Sequence, residues 1–254
     1  MKYLLTAISI FLFANASFAI ADAIKITIPA MTATVGTDEK EIKLQMISPI
    51  AKSEWYRNES PERKVDIKSF RIDSTEVTNI SFFKIFPKHT YPSNLAEHPV
   101  VNVSWMAASE YCGKVGGRLP TEDEWEAAAR GSQGSVYPWS NDFISNNAVY
   151  SGTEFDNSLK IGSFELEESI SSKLGGTRTV ASIEAGKSEF GAYDMAGNVW
   201  EWVDGWYDNS KRLRILKGGS WLSPAESLRS ATKLGDEPES KFNDYGFRCA
   251  YNID

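Results

Sequence analysis

Residues 116–131 read GGRLPTEDEWEAAARG, and residues 191–202 read GAYDMAGNVWEW. The first stretch predicts a helix from its own ends. Thr121 followed by Glu124 forms a capping box, in which the threonine oxygen accepts from the third helical amide and the glutamate reaches back to the Thr121 amide. Trp125, Ala128 and Ala129 then share one face of a helix over roughly Glu122–Arg130. The second stretch has no helical or strand period. Its Gly197 predicts a turn, with Asp194 on one side and Glu201 on the other.

Working outward, Ser104 caps a helix over WMAASEYCGKVGG that the Gly116-Gly117 pair ends. Thr78 caps a shorter one over NISFFKIF, with Ile80, Phe83 and Phe86 at three-residue steps. Strand patterns appear in IKITIPAMTATVGT at residues 24–37 and in VDIKSFRID at residues 65–73. Seven of the eight tryptophans lie between Trp105 and Trp221, in a region poor in regular periodicity, which predicts a core built from packed loops. Residues 155–178 read as a polar surface insertion. No break in composition marks a second domain, so residues 24–251 are expected to form one.

Composition excludes several functions. The 254 residues carry 27 basic and 34 acidic side chains, a net charge of −7, with no basic excess to neutralise nucleic-acid phosphates. A hydrophobic share of 42% and a charged share of 24% exclude wholesale disorder and a multi-span membrane protein. His89 and His98 are the only histidines, so a three-histidine metal centre is impossible. Two cysteines exclude a four-cysteine zinc site. The first 19 residues predict a cleavable export signal: Lys2, an apolar run from Tyr3 to Ala14, then Ser17 and Ala19 at the cleavage positions. The mature chain is therefore expected in the periplasm or outside the cell, with no integral membrane span.

The segments IPAMTATVGTD, FRIDSTEVTN, HPVVNVSWMAASEYC, GGRLPTEDEWEAAARG, YPWS, FGAYDMAGNVWEW, LKGGSW, LRSA and YGFRCA, in this order, resemble the formylglycine-generating enzyme, or sulfatase-modifying factor, family. The resemblance covers nearly all of residues 24–251. It implies an α+β fold of the C-type-lectin-like kind, loop-rich, with short strands and two main helices. The family's enzymes hold copper(I) on two cysteines and oxidise a substrate cysteine to formylglycine. A thiolate pair suits that soft ion. The matching positions here are Ala225 and Ser230, so copper and formylglycine generation are not expected. No catalytic residue is assigned; Trp105, Trp221, Arg229 and Ser230 flank the family's groove and are the groove candidates. The residues alone also allow core packing for the tryptophans and a solvated loop for the other two.

The resemblance further implies a structural disulfide between Cys112 and Cys249, where the residues alone leave a reactive thiol pair open. It implies calcium at Asp194, Gly197, Val199 and Glu201, the glycine and valine offering carbonyl oxygens, as a hard cation requires. Read without it, Asp194 is a turn cap and Glu201 an ion-pair partner. The family's other calcium site falls on Ala148, Val149, Lys173 and Gly175, where the lysine repels a cation, and is not expected. The functional expectation is an exported accessory or maturation factor, or oxidoreductase, of a non-copper branch, with an unidentified protein or peptide partner in the envelope. Its rivals are a ligand-binding module, variable over the 217–247 region, and a structural subunit of an envelope complex.

Overall fold

A computed structural model describes residues 23–38, 42, 53–153 and 176–253. The export signal and most of the 155–178 insertion lie outside the described residues. Pro29 and Ala30 split the first apolar stretch into β1 (Lys25–Ile28) and β2 (Met31–Val35). Likewise VDIKSFRID is two strands, β3 (Arg63–Ile67) and β4 (Phe70–Asp73), which enter different sheets. β2 pairs with β3, while β4 lies between β1 and β9 (Ala250–Asn252), all antiparallel. The remaining strands are β5 (Trp200–Trp206), β6 (Arg214–Lys217), β7 (Lys233–Asp236) and β8 (Tyr245–Gly246). They form a sheet of order β7-β6-β5-β8, in which only β5 and β8 run parallel.

Three helices of the described residues start where their caps predict. These are α1 (Asn79–Ile85) after Thr78, α2 (Trp105–Lys114) after Ser104, and α3 (Glu122–Arg130) after Thr121. Both halves of the Thr121/Glu124 box are made. Glu124 also holds Arg118 in a two-pronged pair at 2.6 and 2.7 Å.

The central sheet separates two cores because strand side chains alternate between faces. Trp200, Trp202 and Leu216 point into one, with Tyr111, Phe247 and the Cys112–Cys249 disulfide. Val203 and Ile215 point into the other, with Trp125, Phe70 and Ile72. Among the described residues no helix is long and apolar enough to cross a membrane.

Candidate functional site

The GNVWEW turn is built by three residues in the left-handed region: Asp194 (φ 58°), Gly197 (φ 89°) and Asn198 (φ 62°). Gly197 cannot be replaced without moving the backbone, since a Cβ there would sit 2.1 Å from the Val149 carbonyl oxygen. Val199 is fully buried behind the turn, and Glu201, on β5, is fully buried as well.

Both carboxylate oxygens of Glu201 are engaged. Arg248 Nη2 donates to Oε1 at 2.6 Å and Arg248 Nε to Oε2 at 2.7 Å, while the Trp125 indole donates to Oε2 at 2.8 Å. Asp194 accepts from the Ala181 amide at 2.7 Å. A third buried acid, Glu76, completes the cluster. Its Oε1 accepts from Asn198 Nδ2 at 2.9 Å, and its Oε2 has no hydrogen-bond donor.

Glu76, Asp194 and Glu201 thus share one buried cation, Arg248. Burial works against the Arg248 charge, and Glu201 outweighs it, holding the guanidinium above its ordinary pKa. Burial raises the pKa of Glu76 well above normal, and the adjacent Asp194 raises it further. Asp194 is raised for the same first reason, although the Ala181 amide and Arg248 oppose it. A proton or a further cation must neutralise the surplus, because unpaired charge is costly away from water. Among the described residues no three His, Cys, Asp or Glu side chains are grouped to hold a metal ion.

Comparison with known proteins decides the family. Residues 22–253 match the sulfatase-modifying factor enzyme 1-like domain. The chain belongs to this family. It is 38% identical over 161 residues to the bovine (Bos taurus) inactive C-alpha-formylglycine-generating enzyme 2, covering 61% of this chain and 50% of that protein. It is 25% identical over 295 residues to the formylglycine-generating enzyme of Mus musculus, covering 89% of this chain and 74% of the relative. The chain thus spans about half the length of the bovine relative. Among solved structures, Treponema denticola variable protein 1 superposes with a TM-score of 0.67 at 20% identity, over 89% of this chain and 94% of the other. PvdO from Pseudomonas aeruginosa does so with a TM-score of 0.65 at 21% identity, over 90% and 94%. These neighbours share the C-type-lectin-like fold that the resemblance implies.

The groove candidates of this sulfatase-modifying factor domain are held in three separate environments. Trp105 is half-buried, donates its indole N–H to the Val203 carbonyl at 2.9 Å, and lies under the Arg214 guanidinium at 3.6 Å. The same guanidinium stacks on Trp206, also at 3.6 Å. Trp221 is buried, its amide bonded to the Asn198 carbonyl and its indole to that of Asn243. Arg229 and Ser230 are not on a solvated loop, which corrects that reading of the sequence. Arg229 is 2% exposed and its Nε donates to both oxygens of Glu59, at 3.0 and 3.1 Å. Ser230 is fully buried and its hydroxyl has no hydrogen-bond partner. Ala225 opens a 3-10 turn over Ala225–Leu228.

Two members of the acid cluster, Glu76 and Arg248, were missed from sequence, as was Trp125 as their neighbour. The signal was present for Arg248, a charged residue inside the otherwise apolar string GFRCA, whereas Glu76 sits in the polar run DSTEVTN and gave none.

Proposed function

We propose that this chain is an exported, non-copper member of the sulfatase-modifying factor family, acting as an accessory or maturation factor or oxidoreductase in the cell envelope. One observation carries the reading. The chain's only two cysteines are joined to each other as Cys112–Cys249, and the positions that the resemblance matches to the copper cysteines hold Ala225 and Ser230. No thiolate pair is left for copper(I), and a buried hydroxyl is a poor ligand for so soft an ion. The 38% identity to a relative named as an inactive formylglycine-generating enzyme supports the same reading.

Calcium at Asp194, Gly197, Val199 and Glu201 belongs to this proposal. The surplus buried negative charge favours it, and the orphan Glu76 oxygen beside Asp194 is the kind of group a cation neutralises. The two-pronged grip of Arg248 on Glu201 opposes it, so Asp194 and the carbonyls would carry most of the binding.

A second reading, a ligand-binding module, draws on exposed Leu222 (48%) and Phe242 (50%), which lie close in sequence to Trp221 and Asn243 respectively. It is weakened by two positions in the same region. Leu234 packs against the core, and Asp236 is held by Tyr245 and Ser240. A common diversified face would need both turned to solvent.

The test is incubation with copper(I), oxygen and a cysteine peptide of the sulfatase type. The cysteine is expected to remain unchanged, as in a control without protein. Formylglycine above that control overturns the non-copper reading.

A further inference from the structure

A cavity of about 600 Å³ lies between β1, the end of β4, α1 and α2, and is closed on its remaining side by residues 180, 181 and 193. None of the groove candidates Trp105, Trp221, Arg229 or Ser230 lines it. Its size falls within the range of small-molecule sites. Val77, Ile85, Tyr111, Val115 and Tyr251, from different parts of the fold, give it walls that suit an apolar body. Two acids reach the lining at depth, Asp73 and Glu76, but they are 2% and 0% exposed and their carboxylates are engaged by the protein. Asp73 accepts from the Cys249 amide at 3.1 Å, Glu76 accepts from Asn198 Nδ2 at 2.9 Å, and the buried Arg248 attracts both.

The charges that a ligand can reach stand at the mouth. Lys25 and Lys84 are exposed there, with Glu97 as the one exposed acid of the lining. The Lys25 ammonium is placed against the cavity wall, 4.0 Å over the Tyr251 ring. Lys84 projects from α1 beside Ile85, and neither lysine forms an ion pair among the described residues. Two such ammonium groups over an apolar hollow select a ligand by charge as well as shape. A neutral apolar molecule fills the hollow and leaves both lysines to water. An amine meets two like charges as it enters. A carboxylate accepts charge-assisted hydrogen bonds from the lysines while its apolar part displaces water from the walls.

We propose that this cavity is a binding site for a small amphipathic carboxylate, its apolar chain packed among Val77, Ile85, Tyr111 and Val115 and its carboxylate held at the mouth by Lys25 and Lys84. The apolar walls supply affinity in proportion to the chain that they cover. The lysines supply the preference for an anion, with Glu97 opposing them in part.

Calorimetric titration of the whole protein at low ionic strength, with hexanoate, 1-hexanol and hexylamine as probes, decides the matter. Hexanoate is expected to bind saturably with one-to-one stoichiometry, and the alcohol and the amine each at least about threefold more weakly. In the series butyrate, hexanoate, octanoate, affinity should rise about three- to fourfold for each added methylene. Lys25→Gln and Lys84→Gln should each weaken hexanoate about threefold or more, whereas Lys211→Gln, at an exposed position outside the lining, should not. Circular dichroism confirms that each variant is folded. The proposal is overturned if hexanoate does not saturate, if the alcohol or the amine binds as tightly, or if butyrate binds as tightly as octanoate. It is equally overturned if the folded Lys25→Gln and Lys84→Gln proteins bind hexanoate unchanged, or if Lys211→Gln weakens it as much as they do.

Discussion

Asp73 shows how a single buried carboxylate ties stability to pH. Burial raises its pKa to about 6 from an ordinary 3.8, with the Cys249 amide, Tyr251, Arg248 and Lys25 pulling the other way. The folded state therefore binds this proton more tightly than the unfolded chain does. The contribution to stability is fully present below about pH 4 and is lost as the pH rises through about 6. The loss is about 1–3 kcal/mol, from a shift of roughly two pKa units at 1.36 kcal/mol each. Asp73→Asn stays neutral throughout. Chemical denaturation at pH 4 and pH 7 should show the variant gaining on the native protein by that amount across the window. An unchanged difference between the two proteins would show that Asp73 is ionised in the fold without cost. At this same scale the sequence was least legible. Arg229 reads as a loop residue because its partner, Glu59, lies 170 positions away, and no local pattern announces an ion pair of that separation.

Elements were far more legible, because caps and turns act over a few residues. Ser104, Thr78 and Thr121 each mark the residue before a helix, and each side chain accepts a bond from the third helical amide. The strands were read too coarsely. VDIKSFRID alternates without a visible break, yet the chain crosses from one sheet to another at Lys68 and Ser69. Which partner strand waits on either side is a long-range fact. The 194–201 turn was legible as a turn, but not its setting of Glu76, Arg248 and Trp125. Its prediction is a melting experiment. Calcium bound only to the folded state stabilises by about 2.7 kcal/mol at a hundredfold excess over Kd. That is a rise of roughly 5–10 °C in Tm for a domain of this size. Asp194→Asn should remove most of the rise, and Asp208→Asn, at an exposed position, should not. Equal melting of EDTA-treated protein with and without millimolar calcium would leave the cluster to be neutralised by Arg248 and a proton alone.

For the whole molecule, one covalent link joins distant segments among the described residues. The Cys112–Cys249 disulfide joins α2 to the segment leading into β9 across 137 residues, and both sulfurs lie in the core with Trp202 and Phe247. In the chain-entropy account, closing a loop of that length contributes about 4–5 kcal/mol. Reduction under native conditions should therefore lower the midpoint of denaturant unfolding by a corresponding amount. A reduced protein that unfolds at the same midpoint would mean that the core alone fixes these segments.

The same disulfide underlies the proposed function, since it occupies both cysteines of this chain. Titration of the protein against a colorimetric copper(I) chelator tests this most directly. The native protein should leave all of the copper with the chelator, and the double variant Ala225→Cys/Ser230→Cys should withdraw one equivalent. One equivalent of copper(I) held by the native protein would contradict the account.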